Sequence, residues 1–115
     1  MSGNCIFCRI IAGQAPAEFV YQDDSVTAFF DQHPAAPVHL LITPNKHISS
    51  INQISENDAV LLGHMLVVAR NLAEQKEINQ NGYRLVINTG ADAGQTIHHI
   101  HLHLLGGERL SGMNR

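Results

Sequence analysis

The spacing of apolar and polar residues marks seven elements along this chain. Residues 5–12 are mostly apolar and predict a short helix that ends near Gly13. Glu18 to Tyr21 and Ser25 to Phe30 read as two strands separated by the turn Gln22-Asp23-Asp24. Pro34 and Pro37 break the next stretch, and Val38 to Thr43 is a third strand closed by Pro44-Asn45. Ser55-Glu56-Asn57-Asp58 resembles a capping box and starts a helix that runs to about Glu77. Asn81-Gly82 is a turn. Tyr83 to Asn88 is a fourth strand, Gly90 to Gln95 a Gly-containing loop, and Ile97 to Leu105 a fifth strand. No repeat, low-complexity stretch or linker interrupts the pattern, so residues 1–115 form one domain.

The long helix carries two adjacent apolar rows. One is Leu61, Met65, Val68 and Leu72; the other is Leu62, Leu66, Ala69 and Ala73, widened by Val67. A stripe this broad exceeds what one sheet face covers, and the spare face predicts a homodimer. The alternative is a helix fully covered by its own core.

The last strand departs from an ordinary core pattern. Four of the eight histidines fall within His98-His99-Ile100-His101-Leu102-His103. In a strand, alternation puts His99, His101 and His103 on one face and Ile100, Leu102 and Leu104 on the other. Histidine titrates near neutral pH and serves as nucleophile, general acid or base, or metal ligand. Residues at i, i+2 and i+4 on a straight strand spread over roughly 13 Å, too far for all three to reach one ion. Nucleophilic use asks less: one imidazole attacks while its neighbours orient it and bind charge. His98 points the other way. His39 and His47 gain weight only from the company of the three, and His33 and His64 read as ordinary loop and helix residues. Asp31, just past Phe29-Phe30, has the character of a carboxylate that binds a ribose diol. Gly90 to Thr96 lacks the Gly-Lys-Ser/Thr ending of a P-loop, although its glycines allow close approach of backbone N–H groups to a phosphate.

Composition narrows the classes. Apolar residues make up 44% and charged residues 15% of 115 residues, with a formal charge of −3 and no basic cluster, which argues against binding nucleic acid through its backbone. No apolar run approaches the roughly 20 residues that span a bilayer. Met1-Ser2-Gly3-Asn4 begins no secretory signal, so the expected compartment is the cytoplasm. Cys5 and Cys8 form a Cys-x-x-Cys, a spacing that suits half a metal site or a redox pair. A thioredoxin-like reading needs a preceding strand, and none is predicted.

His99-Ile100-His101-Leu102-His103-Leu104-Leu105 matches the His-φ-His-φ-His-φ-φ pattern, with φ apolar, of the histidine triad superfamily. The chain resembles its Hint branch, the purine nucleoside phosphoramidases. The likeness runs through Ile6-Phe7-Cys8-Arg9-Ile10-Ile11, Ala28-Phe29-Phe30-Asp31, His39-Leu40-Leu41-Ile42-Thr43-Pro44, Gly82 to Asn88, Ala93-Gly94-Gln95-Thr96 and Gly106-Gly107. It implies an α+β fold: a five-stranded antiparallel sheet with one long and one short helix, doubled into a dimer with a ten-stranded sheet. It implies hydrolysis of the P–N bond of adenosine or guanosine 5′-monophosphoramidates through a nucleotidyl-histidine, with no cofactor required for catalysis.

On the same resemblance His101 is the nucleophile and His99 orients it. His103 and His39 contact phosphate oxygens. Asn88, Gln95 and Thr96 hold the phosphate and leaving group, and Asp31 binds the ribose. Ile6, Phe7, Ile10, Phe29 and Leu41 wall the base pocket. Three positions depart from the branch: Thr96 stands for a serine, His98 for an aromatic residue, and the tail from Glu108 to Arg115 lacks a tryptophan. Some bacterial relatives bind zinc through a set that corresponds to Cys5, Cys8, His47 and His99, which implies a structural zinc site. Two other readings compete with the phosphoramidase: a nucleotide-binding regulatory module and a dinucleoside polyphosphate hydrolase. Gly106-Gly107 fits the Hint branch better than the latter.

Overall fold

The computed structural model describes residues 4–112. The residues read for a leader, Met1 to Gly3, and the end of the tail, Met113 to Arg115, lie outside that range. Helix α1 is Ile6–Ile11. Strands β1 (Phe19–Gln22), β2 (Val26–Phe30) and β3 (Val38–Pro44) follow, then helix α2 (Ala59–Gln75), β4 (Tyr83–Val86) and β5 (Leu102–Gly106). The five strands form one antiparallel sheet in the order β1-β2-β3-β5-β4. This is the α+β architecture that the resemblance implies. No helix among the described residues is long and apolar enough to cross a membrane.

Strand alternation builds two different faces. On one, Val26, Ala28, Leu40, Ile42, Leu102 and Leu104 meet Met65, Val68, Ala69, Leu72 and Ala73 of α2. Leu40, Ile42 and Leu104 are wholly buried there, each contributing about 1.5–3 kcal/mol. On the other face the register sets Phe29 beside Leu41, Leu41 beside His103, and His103 beside Val86. Just beyond β2, the Asp31 N–H donates to the His39 carbonyl at 3.0 Å. Asp31 and His39 therefore share a row next to His103. Helix α1 covers part of this face by packing Phe7 and Ile10 on Phe29 and Leu41.

The core takes only part of the broad stripe on α2. Leu66 is 50% and Val67 47% exposed, with Val60 at 85% near the start of the helix and Leu85 at 37% on the edge strand β4.

A capping box on the 3-10 turn Glu56–Asp58 leads into α2, and backbone hydrogen bonds close its far end. The Ser55 hydroxyl accepts from the N–H of Asn57 at 3.2 Å, and Asp58 accepts from the Ser55 N–H at 2.9 Å, completing the capping box. At the other end, the N–H groups of Glu77 and Ile78 return to the carbonyls of Glu74 and Ala73, both at 3.0 Å. This is a Schellman motif, whose first residue past the cap is left-handed and normally glycine. Here it is Glu77, at φ 61°. Because Glu77 is exposed, Glu77→Gly is expected to stabilise the fold by about 0.5–1 kcal/mol, a rise of a few degrees in Tm by calorimetry.

His64, read as an ordinary helix residue, ties α2 to the first hairpin. Its Nε2 lies 2.7 Å from an oxygen of Asp23 that also accepts from Tyr21 at 2.5 Å. The other Asp23 oxygen accepts from the backbone of Ser25 and Val26, each at 2.8 Å. Burial pushes this carboxyl up, but the bonds from Tyr21, His64, Ser25 and Val26 outweigh it and hold the group well below the usual carboxylate range.

The fifth strand differs most from its sequence reading, which began it at Ile97. It begins at Leu102. Residues before it are held by isolated bonds to the segment after β3, Ile100 N–H to the Ile48 carbonyl at 2.7 Å and Gln95 Nε2 to the Ser49 carbonyl at 2.8 Å, and by a local bond from Gln95 Nε2 to the Ile97 carbonyl at 3.1 Å. The fourth strand likewise stops at Val86 rather than Asn88. Past β5 the glycine pair has a steric cause. A Cβ on Gly106 would stand 2.7 Å from Ile78 Cδ1, and Gly107 adopts φ +97° against Pro37.

Candidate active site

The late start of β5 splits the three histidines. Only His103 lies on the strand, while His101 just precedes it, and both line a cleft of about 480 Å³ on the α1 side of the sheet. His99 is turned away from the cleft and wholly buried. The expectation that alternation places all three side by side on one strand face is therefore corrected. A larger depression of about 610 Å³ lies between the end of α2 and the tail and holds none of these histidines.

Hydrogen bonds fix which nitrogen of each ring carries the proton. His101 Nδ1 lies 2.7 Å from the His99 carbonyl, which can only accept. Nδ1 is therefore protonated, and the neutral ring keeps its lone pair on Nε2. Burial lowers the pKa of His101, opposed by the His99 carbonyl and by Asp31, so the ring is neutral at pH 7. Phe7 meets the His101 ring edge-on, with centroids 5.0 Å apart, which restricts its rotation.

A second chain of bonds sets His103. The Ala35 N–H donates to His39 Nδ1 at 3.0 Å, so neutral His39 carries its proton on Nε2. That Nε2–H donates to His103 Nδ1 at 2.9 Å. The remaining proton of His103 is then on its own Nε2. Burial, reinforced by His101 and His39 and opposed by Asp31, pushes the His103 pKa down to about 4, and burial also lowers His39. His39 itself sits behind His103 and does not line the cleft. The structure thus places His39 against His103 rather than on the cleft wall. Asp31 Oδ2 stands 3.4 Å from His39 Nε2, and its Oδ1 accepts from the His33 N–H at 2.8 Å.

Among the other residues singled out in the sequence, Ile6, Phe7, Ile10, Phe29 and Leu41 form an apolar wall of the cleft. Asp31, Asn88, Gln95 and Thr96 also line it. The Gln95 amide is already engaged: Oε1 accepts from the Gly90 N–H at 2.9 Å while Nε2 donates to Ser49 and Ile97. These bonds tie the loop beneath the cleft to Ser49 and Ile97. Sequence reasoning missed Gln32 and His33, which border the cleft on the exposed loop after Asp31. The sequence signal available was their adjacency to Asp31, whose carboxylate turns the loop through the His33 N–H.

Cys5, Cys8, His47 and His99 gather on the other side of α1. Cys5 caps α1, its Sγ accepting from the Cys8 N–H at 3.4 Å. His99 Nε2 lies 2.8 Å from the Pro44 carbonyl and so carries the ring proton, which leaves a lone pair on Nδ1. Around that atom lie Cys5 Sγ at 3.4 Å, Cys8 Sγ at 3.4 Å and His47 Nδ1 at 3.2 Å. Metal–sulfur bonds of about 2.3 Å and metal–nitrogen bonds of about 2.0–2.1 Å give a tetrahedron whose mixed edges are about 3.6 Å and whose nitrogen–nitrogen edge is about 3.3 Å. The observed separations, including 3.2 Å from Cys8 Sγ to His47 Nδ1, fit such a zinc centre.

The cleft thus sets a neutral imidazole with its Nε2 lone pair unused beside a proton-bearing imidazole, against a partly apolar wall. A family model described as scavenger mRNA decapping enzyme C-terminal binding matches residues 4–114. The purine nucleoside phosphoramidase of Escherichia coli K12 is 48% identical over 113 residues, spanning 98% of this chain and 95% of that protein. A HIT family hydrolase from Legionella pneumophila superposes with a TM-score of 0.92 at 46% identity, over 94% of this chain and 96% of that one. A histidine triad protein from Clostridium difficile superposes with a TM-score of 0.94 at 39% identity, over 97% of both. The chain belongs to the histidine triad family, on the branch that includes the E. coli phosphoramidase.

Proposed function

We propose that this protein is a hydrolase that cleaves the P–N bond of purine nucleoside 5′-monophosphoramidates through a nucleotidyl-His101 intermediate. The observation that carries this reading is the 2.7 Å bond from His101 Nδ1 to the His99 carbonyl, which leaves the Nε2 lone pair for attack. Nε2 attacks the α-phosphorus, and the P–N bond breaks as the nitrogen takes up a proton from solvent, so that the neutral amine leaves. The positive charge that develops on the ring is held through Nδ1–H by the His99 carbonyl. His103 Nε2–H donates to a phosphoryl oxygen or to the departing nitrogen, and His39 positions it. Water then attacks the same phosphorus, breaks its bond to His101 and releases the nucleoside monophosphate. The relative's activity and the family's hydrolases support the reaction class.

Incubation with adenosine 5′-phosphoramidate, a tryptamine adenosine phosphoramidate and diadenosine polyphosphates side by side tests the reading. Turnover only of the polyphosphates would make this a dinucleoside polyphosphate hydrolase. Tight nucleotide binding with no turnover of any of them would make it a regulatory module.

In this reading the apolar wall holds the base, Asn88 and Thr96 hold the phosphate, and Asp31 binds the ribose hydroxyls. Asp31→Asn weakens charge-assisted pairing with the 2′- and 3′-hydroxyls. The expected result is a rise in KM of about tenfold and reduced discrimination against 2′-deoxy substrates. A ribose-to-deoxyribose ratio of kcat/KM that stays at the wild-type value would remove Asp31 from the substrate site.

The protein is proposed to work as a homodimer in the cytoplasm. Exposed Leu66, Val67 and Leu85, with the open edge of β4, support a two-fold pairing that continues the sheet to ten strands. Sedimentation at micromolar concentration is expected to give the dimer mass, and a monomer would reject the pairing. Zinc held by Cys5, Cys8, His47 and His99 would supply a structural cross-link between α1 and the segment before β5. The chemistry at His101 does not use it.

A further inference from the structure

We propose that Cys5 and Cys8 are a site of reversible oxidation, at which a hydroperoxide converts the pair to a disulfide, expels the zinc and releases His99. The inference rests on the metal reading above, and three features carry it. The thiols are three residues apart, at the N-cap and in the first turn of α1, and closing an S–S bond requires that turn to shift until the Cβ atoms stand about 3.5–4.5 Å apart, a local backbone change at the end of a short helix. All four donor atoms lie within 4.8 Å of one another, so the two sulfurs are already near neighbours. The cluster also opens to solvent, because both cysteines are partly exposed and His47 is exposed.

The step balances. One thiolate attacks peroxide, breaking the O–O bond and becoming a sulfenic acid. The second thiolate attacks that sulfur and expels water. Two sulfurs together lose two electrons, one peroxide gains them, and two protons complete two waters. The disulfide keeps no thiolate, and His47 and His99 alone do not retain zinc.

The consequence reaches the cleft through His99. Its ring has two anchors, the Pro44 carbonyl and the cluster, and its own carbonyl holds His101 Nδ1–H. Loss of the cluster leaves Nδ1 of a fully buried ring without its partner and loosens the carbonyl that fixes the nucleophile's tautomer.

The test uses the full chain, reduced, loaded with zinc sulfate and freed of excess metal. Treatment with one to a few equivalents of hydrogen peroxide should release one zinc per chain, read by a chromophoric chelator. The peptide ending at Arg9, which carries both cysteines, should lose two mass units. Dithiothreitol with added zinc should restore the metal and the mass. Turnover should fall several-fold on oxidation and recover with the metal, while nucleotide affinity changes little. Cys5→Ala should give no product two mass units lighter.

Zinc retained after the disulfide forms, sulfinic acid as the main product, or a disulfide between chains on a non-reducing gel would each overturn the proposal. Reduced protein that takes up no zinc overturns both it and the metal reading. The zinc and mass measurements do not depend on the phosphoramidase assignment.

Discussion

His101→Ala and His101→Gly are expected to lower turnover of a purine nucleoside phosphoramidate by at least about 10⁴-fold while nucleotide affinity stays within a few-fold of wild type. The geometry leaves no substitute nucleophile. His103 spends Nδ1 on the bond from His39 and presents a protonated Nε2 to the cleft. The His99 ring is turned toward the cysteines. Affinity should survive because the apolar wall, Asp31, Asn88 and Thr96 remain. A slow substrate quenched in acid-free denaturant should leave a nucleoside monophosphate on His101 of the wild type and on neither variant. Near-normal turnover by His101→Ala would remove the covalent step altogether. Conversion of the loss into a pure KM effect would make His101 a binding residue.

Much of this site was legible before any coordinates, and the reason is local. The alternation of Leu102, His103, Leu104 and Leu105 is a real strand pattern, and Ser55 with Asp58 forms the cap that its spacing announces. The apolar wall came from the family resemblance rather than from local pattern, and Phe7, Ile10, Phe29 and Leu41 do pack together there. What pattern alone misread was the stretch from Ile97 to His101. Alternating residues there look like a strand, but bonds to Ile48 and Ser49 and the burial of the His99 ring beneath Pro44 hold them off the ladder. Those partners lie about fifty residues away in sequence, so no local signal reports them. The same holds for His39, whose place behind His103 depends on the β3–β5 register. It holds for Glu77 too, which ends α2 in a conformation normally marked by glycine.

Removal of the metal should be felt first as lost stability and only second as lost rate. Protein purified without chelator is expected to carry about one zinc per chain, as a four-ligand structural site requires. Cys5→Ser removes one of the four donors and should abolish stoichiometric binding. Structural zinc contributes about 10–16 kcal/mol of apparent binding free energy in small peptides that fold only with metal. This domain has its own core, so only part of that energy is at stake. Even a loss of about 3–4 kcal/mol lowers Tm by more than about 10 °C in a chain of this size. The N-terminal helix should open first, because it has only Phe7 and Ile10 buried in the apolar cluster and Cys5 as its cap. Chelation of the wild type should reproduce the shift in Tm and slow turnover several-fold, with the acid-sensitive nucleotidyl adduct still forming on His101. Elemental analysis that finds no zinc after supplementation would reduce Cys5 and Cys8 to small packing residues. Chelation that halts chemistry at once in a protein whose Tm is unchanged would make the metal catalytic, and the imidazole mechanism would then have to be replaced.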